Sequence, residues 1–288
     1  MLLNVILIGV TSCSKDSVQP SSTGLLLIKE NGSNNINMAS VNLETGSISK
    51  KGIVGDLLSW PDKNLILNDA VYITGTPSDT KLQRVYKYRL NDDKVSYFDV
   101  NKTMAMAGNY NGNIVSLWWD GKEEKFGLFD TNNGSVKELG TVGDLYWWYV
   151  QCFIKDNFVY AFGMMEDQKD NYLYKCDINN GKFVEKIKVS ANYTFAGFFN
   201  NGCIVLSWDG KQVSIGSLNL DNGTVTKFGE VTGIKSWGMQ TTITGDTLYL
   251  LAENNSSTTL NIYGFNLKEK KLTSTVKSTM TSAIFVKK

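Results

Sequence analysis

The amino-acid sequence predicts an all-β protein, a six-bladed β-propeller that is closed by its own C-terminal strand. Three observations predict this fold class. Hairpin phrases recur with a period in the forties, residues recur at twice that period, and the two ends of the chain are complementary fragments of one blade. Such a period, made of short strands, is typical of propeller blades.

Six hairpin phrases occur along the chain, each an apolar/polar alternation on both sides of a turn rich in Asn, Asp and Gly. This pattern is typical of a β-hairpin. Successive phrases start 47, 41, 47, 42 and 47 residues apart. The phrases are VNLETGSI from 41, YRLNDDKV from 88, FDTNNGSV from 129, CDINNGKF from 176, LNLDNGTV from 218 and FNLKEKKL from 265.

The alternation of long and short spacings indicates that the repeating unit is a pair of blades. The segment WDGK at 119–122 recurs at 208–211, and ENGS at 30–33 is a third, degenerate copy. Other residues recur at spacings of 88 or 89. These are Gly46, Gly134 and Gly223, then Tyr72, Tyr160 and Tyr249, then Tyr86, Tyr174 and Tyr263. Asp-Gly and Asn-Gly at the repeated turn predict a two-residue type I′ loop, in which both central residues need positive φ.

Four strands account for each period. In the fifth blade we expect the innermost strand at 193–200, followed by strands at 203–208, 212–220 and 224–231. The segment from 24 has the pattern of a second strand without an inner partner, and 281–288 has that of an innermost strand without a blade. The C-terminal strand is therefore predicted to complete the first blade. The alternative fold, a β-solenoid, does not explain why the two ends are complementary.

The first residues predict a processed and lipidated N-terminus. Leu2 to Val10 is an apolar run of signal-peptide length, too short to cross a bilayer. The following Val-Thr-Ser-Cys, ending at Cys13, resembles the lipobox of bacterial lipoproteins. A buried first strand followed by a cysteine is the alternative, but 14–24 is polar, contains Pro20 and is typical of a tether. The expected organisation is a signal peptide at 1–12, lipidated Cys13 and tether at 13–23, and one propeller domain at 24–288.

This resemblance implies a location in the cell envelope, anchored to the outer membrane through lipid on Cys13. The segment CSKD after the cleavage point also resembles the start of Bacteroidota lipoproteins. In that group, acidic residues near the cysteine favour display on the cell surface, and we expect the same of this protein.

The hairpins carry a second resemblance. The Asp-x-x-x-Gly turn after a strand, as in FDTNNG and CDINNG, resembles the repeat of bacterial quinoprotein-type and YncE-like propellers. The resemblance covers nearly the whole mature chain and implies a fold, not an activity. The metal and cofactor residues of quinoprotein enzymes find no match in this sequence, so no cofactor and no catalytic residue are carried over.

Composition argues against several functions. The formal net charge is +1, which gives no electrostatic basis for binding nucleic acid. The absence of histidine removes the commonest general base and metal ligand, and excludes a Ser-His-Asp triad. Cys152, Cys176 and Cys203 have no metal-binding spacing and are interpreted as small apolar strand residues, so no metal site is predicted.

The candidate ligand-binding residues lie in two classes of loop that share one face of a propeller, around the mouth of its channel. One class joins an outermost strand to the next innermost strand, and the other joins a second strand to a third. Three tryptophans in the first class, 88 and 89 residues apart, are expected on alternate blades with approximate threefold symmetry. The candidates are Trp60, Trp148, Trp237, Trp119, Trp208, Tyr146, Trp147, Asp56 and Asp144.

Two interpretations of these aromatic residues remain open. In the first, each ring packs between blades, where it buries a large area. In the second, the rings form a stacking platform for a ligand. In the tandem Trp147 and Trp148, neighbouring strand residues face opposite ways, so at least one is expected to face the channel or solvent.

The sequence favours a non-catalytic binding protein. A glycan is the first expected ligand, and a flat iron chelate such as a siderophore is the second. The alternatives are a protein partner such as an outer-membrane transporter, and a carboxylate-based glycan hydrolase. In the hydrolase interpretation Asp56 and Asp144, in equivalent VGDL segments, are the first candidates for the two acids. Support of the loop turn is the structural alternative for both.

Overall fold

The computed structural model contains six antiparallel sheets of four strands each, arranged in a ring. It describes residues 23–29, 32–58, 64–80, 82–164, 170–235, 240–255, 259–280 and 282–286, and only the backbone of 147–150 and 164. No α-helix occurs within these ranges. They therefore contain no helix that is long and apolar enough to span a bilayer.

Each sheet is one blade, and in blades 2 to 6 the strands follow the chain from the innermost strand outward. The second blade contains β4 (Asn64–Leu67), β5 (Ala70–Gly75), β6 (Gln83–Arg89) and β7 (Val95–Val100). The third contains β8 (Met104–Tyr110), β9 (Asn113–Trp119), β10 (Glu124–Phe129) and β11 (Val136–Thr141). The fourth contains β12 (Tyr146–Lys155), β13 (Phe158–Met164), β14 (Asn171–Asp177) and β15 (Lys182–Val189). The fifth contains β16 (Thr194–Phe199), β17 (Gly202–Trp208), β18 (Gln212–Leu218) and β19 (Val225–Thr232). The sixth contains β20 (Gln240–Thr244), β21 (Thr247–Glu253), β22 (Leu260–Asn266) and β23 (Lys271–Lys277).

The first blade is built from both ends of the chain, which confirms the predicted closure. It contains β1 (Thr23–Lys29), β2 (Asn35–Asn42), β3 (Ile48–Asp56) and, innermost, β24 (Ala283–Phe285). β24 pairs antiparallel with β1, and Phe285 lies opposite Leu26. The six-bladed propeller is thus the observed fold, and the solenoid alternative is wrong.

Apolar side chains fill the seams, the interfaces between adjacent blades. The described residues form six buried clusters, one at each seam. The strands alternate accordingly. In β6, for example, Val85 packs toward the third blade while Tyr86 packs toward the first. Since each blade is covered on both faces, the core is a continuous ring of seams.

The predicted double-blade module has a physical basis in two kinds of seam. Blades 1–2, 3–4 and 5–6 form the first, second and third modules. One tyrosine ladder, on third strands, lies in the seams within modules: Tyr86, Tyr174 and Tyr263. The other ladder, on second strands, lies in the seams between modules: Tyr72, Tyr160 and Tyr249. The two kinds of seam alternate around the ring, so the sequence repeats every second blade.

Ring closure gives a stability prediction. Phe285 is completely buried in the seam between blades 6 and 1. We expect Phe285→Ala to lower the free energy of unfolding by about 3–5 kcal/mol, because it removes a large core side chain and leaves a cavity. Urea unfolding followed by circular dichroism measures this change.

The matched control is Leu272→Ala on the outermost strand β23, where the side chain is 43% exposed. It should change the stability by no more than about 0.5 kcal/mol. Equal small effects of the two variants would contradict a stabilising role for the C-terminal strand.

Candidate binding face

The two loop classes singled out in the sequence are joined to each other on one face of the ring. Leu57, after the outermost strand of blade 1, forms an isolated β-bridge with Pro77 between the second and third strands of blade 2. Ile234 and Asn254 form the equivalent bridge between blades 5 and 6. Loops from neighbouring blades are therefore fixed to one another at their stems.

Buried aliphatic side chains anchor these stems. Leu57, Leu145 and Ile234 occupy equivalent positions in the three modules and are 0%, 3% and 2% exposed. Leu57 packs on Gly75, and Leu145 packs so closely on Gly163 that no Cβ has room there. Each anchor lies three residues before one of the tryptophans in the ladder. The sequence analysis missed the anchors, although an aliphatic residue at this spacing was visible in all three loops.

The side chains of the predicted tryptophan ladder lie outside the described part of the structure. Trp60 and Trp237 lie outside the described residues. Trp147 and Trp148 belong to β12, but their side chains are outside the described part of the structure. The proposed threefold arrangement of these rings therefore stays a prediction.

The backbone of β12 changes one premise of that prediction. Tyr146 pairs with Met164, and the next pair is Gln151 with Phe162. Four residues, 147–150, thus lie opposite a single residue of β13, so the strand bulges at this point. The regular backbone pairing assumed for this part of the strand is therefore interrupted at 147–150.

Trp119 and Tyr146 meet across the seam of the second module. Trp119 ends the second strand of blade 3, and Tyr146 begins the innermost strand of blade 4. Their ring centroids are 5.7 Å apart at an interplanar angle of 75°, an edge-to-face contact. Both side chains are only partly buried, so the pair packs the blades together and also presents ring surface to solvent.

Trp208, the equivalent of Trp119 in the third module, is also partly buried. It packs against the buried cluster between blades 5 and 6, which includes Ile234. The residue equivalent to Tyr146 in that module is Lys235, so the aromatic pair is not repeated. For Trp208 the geometry favours blade packing.

Asp56 and Asp144 occupy equivalent exposed positions in the first and second modules, and both carboxylates have partners. Asp56 accepts a hydrogen bond from the hydroxyl of Ser78. Asp144 accepts one from Lys186, with 2.5 Å between Nζ and Oδ2. Burial, with the nearby Asp144 carboxylate, raises the pKa of the Tyr174 phenol. Each of the two aspartates is thus engaged by a side chain of its own module.

The repeated WDGK segments form a different turn from the one predicted. Gly121 and Gly210 have positive φ, 100° and 93°, whereas Asp120 and Asp209 do not, so the loops are not type I′. Each aspartate instead accepts two backbone N–H bonds, as in an Asx turn. The nitrogens of residues 122 and 123 lie 2.8 and 2.9 Å from Asp120 Oδ1, and the equivalent distances to Asp209 Oδ1 are 2.9 and 3.0 Å.

The cysteines behave as predicted apolar residues. Cys152, Cys176 and Cys203 are buried, and the sulfur of each is a thiol and not part of a disulfide. Burial raises the pKa of Cys176 and of Cys203 to about 12, so both remain protonated at neutral pH. Within the described ranges, no three His, Cys, Asp or Glu side chains are grouped to hold a metal ion. Cys13 lies outside those ranges.

One functional candidate had not been singled out from the sequence. Glu124 begins β10, is completely buried, and pairs with Trp119 across the sheet. The equivalent residues in the other modules are Ile36 and Val213, which are also completely buried. The signal was available in the repeat, as a carboxylate at a position that is otherwise aliphatic.

Comparisons with known proteins support the fold only. No protein-family model matches the chain, and no curated protein sequence matches it. TolB from Acinetobacter baumannii superposes with a TM-score of 0.65 at 9% identity, over 92% of this chain and 66% of that chain. The chain thus spans about two thirds of the length of TolB.

Two further solved structures are similar. A Bacteroides uniformis protein provisionally named a 6-phosphogluconolactonase matches with a TM-score of 0.51 and 13% identity, over 93% of this chain and 100% of that one. A chain of a nidogen–laminin complex matches with a TM-score of 0.56 and 12% identity, over 91% of this chain and 97% of that one. At these identities, the class of protein that fold and comparisons define is a six-bladed β-propeller, and its ligand has to be argued from its own residues.

The Asx turns give a prediction for pH dependence. Backbone N–H bonds lower the pKa of Asp209 below its ordinary value of 3.8. The stability contributed by this carboxylate is therefore present above about pH 3.8, the pKa of the unfolded chain, and is lost as pH falls through the lower pKa of the folded state. We expect carbon-detected NMR titration to find the Asp209 pKa below 3.8.

The control separates backbone from side-chain effects. Lys211→Ala keeps the backbone N–H and removes the ammonium group with its methylene chain, so the Asp209 pKa should stay low. A return to the ordinary value in Lys211→Ala would show that the charge, and not the turn, sets this pKa.

Proposed function

We propose that the protein is a lipid-anchored, non-catalytic binding module of the bacterial cell envelope that takes a glycan at the mouth of its propeller. The observation that carries the proposal is the partly exposed pair of Trp119 and Tyr146, which stands on the face where the loop stems are fixed. A rigid scaffold that presents aromatic surface with a few polar groups is typical of ligand sites.

A glycan suits the polar groups around this face. Sugar rings offer C–H faces for stacking on aromatic rings and hydroxyl groups that donate to carboxylates. Asp56, Asp120 and Asp144 provide carboxylate oxygens on the same face, all held by hydrogen bonds. Fixed acceptors cost little ordering when a ligand binds.

The hydrogen-bond partners of the two candidate acids support binding over hydrolysis. Glycosidases hold their two carboxyl groups within about 10 Å of each other. Asp56 and Asp144 belong to different modules and are engaged by Ser78 and Lys186. The hydrolase remains the alternative enzyme function, and turnover of a glycan is the measurement that distinguishes it.

A protein partner is the second binding candidate. A chain with a similar fold belongs to a solved nidogen–laminin complex. By analogy, an outer-membrane transporter is the partner that an envelope lipoprotein of this fold is proposed to contact. A siderophore remains the second small-ligand candidate, on the predicted threefold tryptophan ladder.

Tryptophan fluorescence titration tests the proposed ligand class. The mature protein is titrated with neutral oligosaccharides and, separately, with ferric tris-catecholates. We expect saturable quenching with an oligosaccharide, weakened about tenfold or more in Trp148→Ala because a stacking surface is lost. Tyr97→Ala, an exposed aromatic on the outermost strand β7, is the control and should bind as the wild type does.

Other outcomes identify the alternatives. Quenching by the ferric chelate alone would replace the glycan by a siderophore. A flat response with turnover of a glycan, abolished by Asp144→Asn, would establish the hydrolase. Co-purification with a membrane protein, unchanged in Trp148→Ala, would establish the partner function.

Lipidation has its own test. We expect the full-length protein, expressed in a Gram-negative host with radiolabelled palmitate, to carry label and to sediment with the outer membrane. Cys13→Ser removes the acceptor thiol and should release the protein without label. Cys203→Ser, which alters a buried thiol, is the control and should remain labelled. Equal labelling of Cys13→Ser and the wild type would refute the anchor.

A further inference from the structure

The three modules differ in residue type at the mouth of the channel, and the second module differs most from the other two. Tyr146 has Leu58 and Lys235 as its equivalents, at spacings of 88 and 89. Glu124 has the aliphatic Ile36 and Val213. An aromatic ring and an extra carboxylate therefore occur together in one module only.

These residues lie at the same seam. Trp119 and Tyr146 are in edge-to-face contact across blades 3 and 4. Glu124 is directly opposite Trp119 in the register of β9 and β10, so both side chains are on the face of blade 3 that packs on blade 4. The seam thus combines partly exposed aromatic rings with a buried carboxylate beside them.

The equivalent positions show that packing alone does not require these residue types. Ile36 and Val213 are both 0% exposed, as is Glu124, so the site accepts an aliphatic side chain without leaving solvent access. Burying a carboxylate there is costly compared with an aliphatic residue. Departures of this kind from an otherwise consistent pattern are expected at functional sites.

Two further carboxylates flank the aromatic pair. Asp144 lies two residues before Tyr146, with its side chain 46% exposed and fixed by Lys186. Asp120 follows Trp119 directly and is held by the backbone of its turn. Oxygen acceptors within two residues of each aromatic ring along the chain suit a group that stacks and donates hydrogen bonds, as a sugar does.

We propose that this seam is a sugar subsite, in which one sugar unit packs against the edge-to-face pair of Tyr146 and Trp119 and donates hydroxyl hydrogen bonds to Asp144. This rests on the proposed function and deepens it, because it places the ligand in one module and in one orientation. A ligand with threefold symmetry would need equivalent contacts in all three modules. The leucine, tyrosine and lysine at 58, 146 and 235 do not supply them.

Substitutions at the three equivalent positions test the proposal. Tyr146→Leu copies the residue of the first module, so the fold already accommodates that side chain at this position of the repeat. Calorimetric titration with soluble cello-, xylo-, malto- and chito-oligosaccharides should show binding weakened about tenfold in Tyr146→Leu. Leu58→Ala and Lys235→Ala should change the dissociation constant less than about twofold.

A matched pair of tryptophans separates binding from packing. Trp119→Phe and Trp208→Phe remove the same atoms at equivalent, partly buried positions. Thermal unfolding should change similarly in the two variants. Only Trp119→Phe should weaken oligosaccharide binding, and equal weakening by both variants would overturn the subsite.

The remaining outcomes separate this inference from the proposed function. If substitutions at 58, 146 and 235 weakened binding equally, the single subsite would be overturned and the glycan function would still hold. Binding of tetramethylammonium at this seam, lost in Tyr146→Leu, in place of any oligosaccharide would overturn the sugar class. No binding of any oligosaccharide by the wild type would overturn both proposals.

Discussion

The whole structure depends on one constraint, that both faces of every blade are apolar and must be covered by another blade. A row of six such sheets leaves one apolar face open at each end. Closing the row into a ring removes both open faces at once. β24 does this at the seam between blades 6 and 1, where Phe285 and Leu26 are paired and completely buried.

The seams also explain why the chain repeats every two blades. The hairpin that joins the third strand of a blade to its outermost strand packs against the outermost strand of the preceding blade. Gly223, for example, lies so close to the carbonyl oxygen of Lys188 that a Cβ has no room. At the opposite face, Leu57, Leu145 and Ile234 fix the loops of one blade to the next within each module. Packing requirements of the two kinds of seam thus preserve the module and hold the loop stems in place.

A scaffold fixed in this way allows the exposed residues to differ between modules without disturbing the fold. The stem residue after each buried anchor is a leucine, a tyrosine or a lysine at 58, 146 and 235. The anchors fix the loop stem in each module, while the next side chain differs in its chemistry. On a repeated fold, function is expected at positions where the modules share a structural role but differ in residue type.

Much of the fold and part of the candidate site could be predicted from sequence. Alternation and turn residues are local signals, so blade boundaries, hairpins and the displaced C-terminal strand followed from spacing alone. The turns at Asp120 and Asp209 were located correctly, but their type was wrong. Asp-Gly suits several turns, and only the structure shows that each aspartate accepts hydrogen bonds from the N–H groups two and three residues after it.

The sequence by itself determined the number of blades, the module and the way the ring closes, because these depend on patterns along the chain. Only the tertiary structure decided that Trp119 meets Tyr146, that Glu124 lies beside them and that residues 147–150 bulge from β12. The reason is that contacts across a seam depend on which face each strand turns toward its neighbour and on local register. Neither is determined by the spacing of residues along one strand.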